Sequence, residues 1–136
     1  SPAAAAAAFP LPVTAADAER AYRSLRKSPD EWAKYALGIG ADRVKLIFRH
    51  NLPAELLTAF LQAIDGHCFP QDAPGALAVL QALRSAGRFS ILTMCLDKAD
   101  ERAVKSIFEK LDDAAAKGCI EISKEELKKL RSDYSG

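Results

Sequence analysis

The residues with reactive side chains are few, and their spacing gives them little to do. Cys68, Cys95 and Cys119 are the chain's only cysteines. They are odd in number, far apart and without any CxxC pairing, so they read as free thiols, which fits a reducing compartment, the cytoplasm and also the nucleus. Metal ligation together with His50 or His67 lacks the local ligand pairs on which structural sites are built. Those two histidines are the only ones, and each lies beside a helix end or loop, where imidazole commonly caps the last carbonyls or is solvated. The carboxylate pairs Asp112-Asp113 and Glu125-Glu126 are adjacent, so their side chains diverge around a helix instead of converging on a substrate. Gly38-Ile39-Gly40 closes a helix where a phosphate cradle would open one, and no Lys-Ser or Lys-Thr follows. No nucleophile, base and orienting group come together, so the expectation is a protein that is not an enzyme, with no cofactor, no metal site and no catalytic residue.

Charge names no partner either. Nineteen Lys and Arg against eighteen Asp and Glu leave +1 over 136 residues, which gives no excess to draw nucleic acid, membrane or an acidic substrate. The one local concentration is Lys124, Lys128, Lys129 and Arg131, with Glu125, Glu126 and Asp133 interleaved and no exposed aromatics for base stacking. A helix-dipole and solubility role is the favoured reading. A nucleic-acid or lipid-binding helical domain using this basic end is the alternative.

The elements that carry these residues are helical throughout, because helix start and stop signals punctuate the chain and almost nothing alternates with a period of two. The expected architecture is all-α, a compact bundle of about seven or eight short helices. Residues 1–13, with the Ala3–Ala8 run and three prolines, are expected to be a flexible leader or linker end, and residues 14–136 the helical interaction domain. No window approaches the roughly 18 consecutive apolar residues of a membrane span.

Thr14 caps a first helix to about Lys27, with Ala18, Tyr22 and Leu25 inward. Ser28-Pro29-Asp30-Glu31 has every component of a capping box and opens a second helix bearing Trp32, Tyr35 and Ala36, which ends at Gly38 or Gly40. Asp42 opens a short third helix with Val44, Ile47 and Phe48. Pro53 starts a central helix with Leu56, Leu57, Phe60, Leu61 and Ile64, followed by a loop at Gly66–Pro70. Asp72 caps a fifth helix with Ala76, Leu77, Leu80 and Leu83, expected to pair antiparallel with the fourth. Asp97 caps a long helix to about Ala116, carrying Val104, Ile107, Phe108 and Leu111, and Ser123-Lys124-Glu125-Glu126 repeats the capping-box pattern ahead of Leu127 and Leu130.

Between the fifth and the long helix, Arg88 to Leu96 leaves almost no polar face on about two helical turns. Phe89, Leu92 and Leu96 make one stripe at i, i+3 and i+7, and Arg88, Ile91 and Cys95 a second at the same spacing. If the first fills the core, the second has no cover within so small a chain, and a partner can supply it.

The run Arg23 to Leu37, the Ile47-Phe48 pair, Asn51-Leu52, the apolar helix after Pro53, Arg88-Phe89 leading a hydrophobic helix, Phe108, and Glu126-Leu127-Lys128-Lys129 with Tyr134 together resemble one known family. It is the C-terminal domain of RNA polymerase II-associated protein three, found also in sperm-associated antigen one and related dynein-assembly factors. Resemblance over nearly all of residues 14–136 implies a co-chaperone adaptor domain that docks on RuvB-like AAA ATPases. Upstream tetratricopeptide repeats, absent from this chain, hold heat-shock chaperones in that family, and the assemblies serve the construction of large complexes, axonemal dyneins among them. By the same resemblance the ATPase-facing helix is the one beginning at Arg88, with Arg88, Ile91 and Cys95 as the partner-binding residues. Relatives often carry Met or Phe where this chain has Cys95, a smaller side chain that fills less of a pocket.

Overall fold

A computed structural model describes residues 9–136, which form eight α-helices and no strand. In chain order they are α1 Ala15–Leu25, α2 Pro29–Ile39, α3 Ala41–Ile47, α4 Ala54–His67, α5 Ala73–Arg84, α6 Phe89–Met94, α7 Lys98–Ala116 and α8 Lys124–Tyr134. The all-α expectation holds. None of these helices is long and apolar enough to cross a membrane.

Local chemistry accounts for most of the helix starts. The Thr14 hydroxyl accepts from the Asp17 amide, and the Asp17 carboxylate answers by accepting from the Thr14 amide. A second acceptance, from the Val13 amide, contributes most, and with Thr14 it lowers the Asp17 pKa below the usual carboxylate range. Asp97 and Asp100 make the same reciprocal box at the start of α7. Asp72 and Ser123 cap α5 and α8 through their side chains.

The Ser28 expectation is corrected in part: α2 does start there with Pro29 in its first turn, but Ser28 makes no side-chain cap bond. Its ψ is 79°, away from the extended 166°, 180° and 155° of Thr14, Asp97 and Ser123, but Asp72 caps α5 at ψ 52°, so the angle alone does not account for the missing bond. At the start of α3 it is Gly40, at φ 84°, that stands between two helices, while Asp42 lies inside the first turn and caps nothing. A glycine is what permits the chain to leave α2 and enter α3 within one residue.

The core is organised around α4. Leu56, Leu57, Ala59, Phe60, Leu61, Ala63 and Ile64 are all buried, more than one stripe's worth, so α4 needs neighbours on several sides. It packs chiefly on α2 and on α7, while α5 packs on α3. The expected antiparallel pair of α4 with α5 is therefore not the arrangement. The reason lies in the aromatic face of α2. Trp32 lays its ring edge-on to Phe60, centroids 5.7 Å apart, and donates its indole N–H to the Ala59 carbonyl at 3.1 Å, occupying the flank of α4. The other flank is fixed polar-wise to α7, by Thr58 donating to Asp100 at 3.1 Å and by Ser106 and Lys110 both donating to Asp65 at 2.7 and 2.9 Å.

α4 also runs to His67, so Gly66 and His67 are helical and the connection to α5 begins at Cys68. The Cys68 thiol is buried, and burial, with the Asp72 carboxylate adding to it, pushes its pKa up to about 11. Of the expected leader, residues 1–8 lie outside the described residues. Within residues 9–13, Phe9 and Pro12 lie against the bundle: Phe9 meets Tyr35 edge-on at 6.2 Å, Pro12 is buried, and Arg43 donates to the Pro12 carbonyl at 3.0 Å.

Candidate functional site: the outer face of α6

α6 is a six-residue helix, too short to be stable by its own hydrogen bonds, so its placement depends on what holds it at each end and from below. At the entry, the Gly87 amide donates to the Arg49 carbonyl at 3.0 Å. A Cβ on Gly87 would collide with the His50 carbonyl and crowd that of Arg49, so the connection that follows α3 and the start of α6 are pressed backbone to backbone. Beneath the helix, Phe89 is buried and meets Tyr134 of α8 edge-on at 4.9 Å. Tyr134 also packs on Phe108 of α7, with ring centroids 5.9 Å apart, and donates its hydroxyl to the Leu80 carbonyl of α5 at 2.6 Å. Complete burial raises its pKa well above the ordinary tyrosine value, so it remains a neutral donor. One side chain thus ties α5, α7 and α8 together under α6.

The stripe expected to face inward does so: Phe89 is buried, and Leu92 and Leu96 are half-buried against the core. Thr93 joins them at 5% exposure, its hydroxyl donating to the Ser90 carbonyl at 3.0 Å. That local bond satisfies the hydroxyl and lets the polar residue of the run turn inward. The helix is shorter than the two turns expected over Arg88–Leu96. It begins at Phe89 because Arg88 is left-handed, at φ 62° and ψ 23°, and it ends at Met94.

The structure places Arg88, Ile91 and Cys95 on the surface, Ile91 at 56% exposure and Cys95 as a free thiol. Met94, at 74% exposure, belongs to the same outer surface and was missing from the expected set. Its signal was in the sequence, since it lies three residues after Ile91 just as Cys95 lies four after, and both spacings fall on one helix face. Arg88 borders a shallow cleft of ≈ 390 Å³ that it shares with Arg84, Phe89, Ser90 and Asp133. Within it Arg84 and Asp133 pair at 3.4 Å. Arg88 is the only described residue other than glycine at positive φ, a conformation costing on the order of 1 kcal/mol or more for a residue with a Cβ. What results is an apolar surface of Ile91, Met94 and Cys95 with a guanidinium at its edge, on a helix fixed from beneath.

The remaining candidates are dispersed. His67 shares a 2.8 Å contact with Asp30 at the other end of the molecule's core helix, and His50 accepts from Arg49 at 3.2 Å. No group of three or more His, Cys, Asp or Glu among the described residues is placed to hold a metal ion. The other large apolar side chains left exposed are Leu11, Val13 and Leu46, on the N-terminal segment and α3.

Residues 11–101 match a family described as the potential Monad-binding region of RPAP3. The chain belongs to this family. The matched region takes in the whole of α6 and ends in the first turn of α7. The RPAP3 C-terminal family is thus one of protein-interaction domains, described by what it binds. Human RNA polymerase II-associated protein 3 is 24% identical over 121 residues, covering 88% of this chain and 18% of that protein's length. The NMR structure of the C-terminal domain of the human RPAP3 protein matches with a TM-score of 0.82 at 19% identity, covering 93% of this chain and 90% of that one. It shows the same fold.

Proposed function

We propose that the chain is a co-chaperone adaptor domain whose α6 face docks on a RuvB-like AAA ATPase and brings it to heat-shock chaperones, held by tetratricopeptide repeats elsewhere in a longer protein, for the assembly of large complexes in the cytoplasm or nucleus. The observation that carries the reading is the pairing of exposure with rigidity at α6. Ile91 and Met94 are displayed at 56% and 74% on a helix whose underside is clamped by Tyr134 and whose entry is fixed by Gly87. Apolar side chains pre-positioned at a surface bind with little ordering cost, and buried anchors with a charged rim are how interfaces obtain both affinity and orientation. Arg88 is suited to that rim role, because its guanidinium can hold a carboxylate or a row of carbonyls in one orientation.

The test is capture of purified human RuvB-like ATPases by the wild-type chain and by Ile91→Asp, with helical circular dichroism of both. Ile91 is exposed, so the variant is expected to keep its fold and to lose capture by about tenfold or more. Undiminished capture by the folded variant rules out this face. A second reading comes from the family description, which names Monad: the same experiment with Monad as the bait separates the two partners on one surface.

A further inference from the structure

A second surface lies away from α6, in a groove between the C-terminal half of α7 and the first two turns of α8. Its volume is ≈ 540 Å³, within the range of sites that hold small ligands or peptide segments. Ala115 of α7, Ile122 of the connecting segment and Leu127 of α8 form much of its lining, with Phe108 at the base. Lys124, Lys128 and Arg131 line one rim, at i, i+4 and i+7 along α8, and Asp112 of α7 is the single carboxylate on the groove.

None of the interleaved carboxylates Glu125, Glu126 and Asp133 lines this groove. Glu126 and Lys129 border a different cleft, with Gln81 and Arg84, and Asp133 pairs with Arg84. The rim facing the groove is left with three cations against one anion. Arg131 reaches Asp112 only at 3.8 Å, and among the described residues neither Lys124 nor Lys128 is in an ion pair.

We infer that this groove is a docking site for a short acidic, amphipathic peptide segment, one that lays apolar side chains over Ala115, Ala116 and Ile122, beneath which Leu127 is buried, and sets two or three carboxylates along Lys124, Lys128 and Arg131. The distribution of charge selects the occupant. From Lys124 to Arg131 the helix rises about 10 Å, so the cations are spread along a line, as carboxylates on a peptide are, and a single-headed amphiphile would satisfy one of them. A nucleic acid would meet the cations but find no ring to stack on, since Phe108 is 1% exposed. This surface shares no lining residue with the α6 face.

The experiment uses the whole chain and a fluorescein-labelled heptapeptide, Asp-Leu-Glu-Asp-Leu-Phe-Glu, read by anisotropy. The control is a peptide with Lys at every acidic position. Saturable binding of the acidic peptide alone is expected. It should weaken by about tenfold in the double variant Lys124→Glu, Lys128→Glu, fall with added salt, and be unchanged in Ile91→Asp. Amide shifts on titration should centre on Ala115, Ile122 and Leu127. The inference is overturned if the acidic peptide fails to bind, if the folded double variant binds it equally well, or if the shifts fall elsewhere. It is equally overturned if laurate or a short oligothymidylate binds this groove while the acidic peptide does not.

Discussion

α4 and α6 are both written in large apolar residues, and the molecule treats them oppositely. α4 runs 14 residues and buries Leu56, Leu57, Phe60, Leu61 and Ile64 against neighbours on several sides. α6 runs six, buries Phe89 and Thr93, and leaves Ile91 and Met94 in solvent. The difference lies in supply of cover. α2 brings Trp32 to one flank of α4 and α7 packs along the other, whereas α6 rests on Tyr134 through Phe89 and is held at its entry by the Gly87 backbone, with nothing over its outer face. Apolar composition therefore means stability in one helix and availability in the other, and the two roles predict opposite patterns on mutation.

The largest stability effect should come from α4. Phe60→Ala removes a ring that is fully buried between Trp32 and Phe48 and is expected to cost about 3–5 kcal/mol, read as a shifted midpoint in urea unfolding. A smaller loss would mean that α4 is less tightly enclosed than its contacts indicate. Gly87→Ala comes next, at about 1–3 kcal/mol, because the new methyl meets the His50 backbone. Here ATPase capture should fall along with stability, since α6 must move to make room. Capture that survived would show the docking face to be independent of how α6 is anchored.

Arg88→Gly is the smallest and most discriminating. Glycine accepts the left-handed conformation freely, so the fold should be unchanged or up to about 1 kcal/mol more stable, while capture of the ATPase weakens with the loss of the guanidinium. A variant that gains stability and loses binding would place Arg88 on the recognition side of the comparison. One that loses both would make its strain a structural matter.

How far the sequence could be read divides along the same line. The helices, the family and the buried stripes of α1, α4, α5 and α7 were legible, because period and capping chemistry are local and leave their mark on adjacent residues. The Ser28 box was not, since the residues were right and the hydroxyl still makes no bond to a first-turn amide, a matter of side-chain placement that residue type does not fix. Which helices pair was hidden for a different reason. Trp32 reaching the Ala59 carbonyl is a contact across 27 residues with no counterpart in spacing. At the site, the inward and outward stripes of α6 were drawn from the helical wheel, and the structure lays Arg88, Ile91 and Cys95 on the outside. Thr93 turning in and Met94 turning out were missed, one because a local hydroxyl–carbonyl bond makes a threonine fit to be buried, the other because a wheel with two apolar stripes does not say how wide the uncovered one is.

The three thiols differ in reach as sharply as the two helices do. Cys95 is open to solvent within the α6 face and Cys119 is open to solvent away from it, while Cys68 is enclosed and held neutral by a pKa of about 11. Thiolate, not thiol, is the reactive form, so an alkylating reagent at neutral pH meets two reporters and one silent residue. The chain accordingly carries its own footprinting set: the rate of alkylation at Cys95 relative to Cys119 measures how much of the α6 face is occupied, with no label introduced and no residue changed.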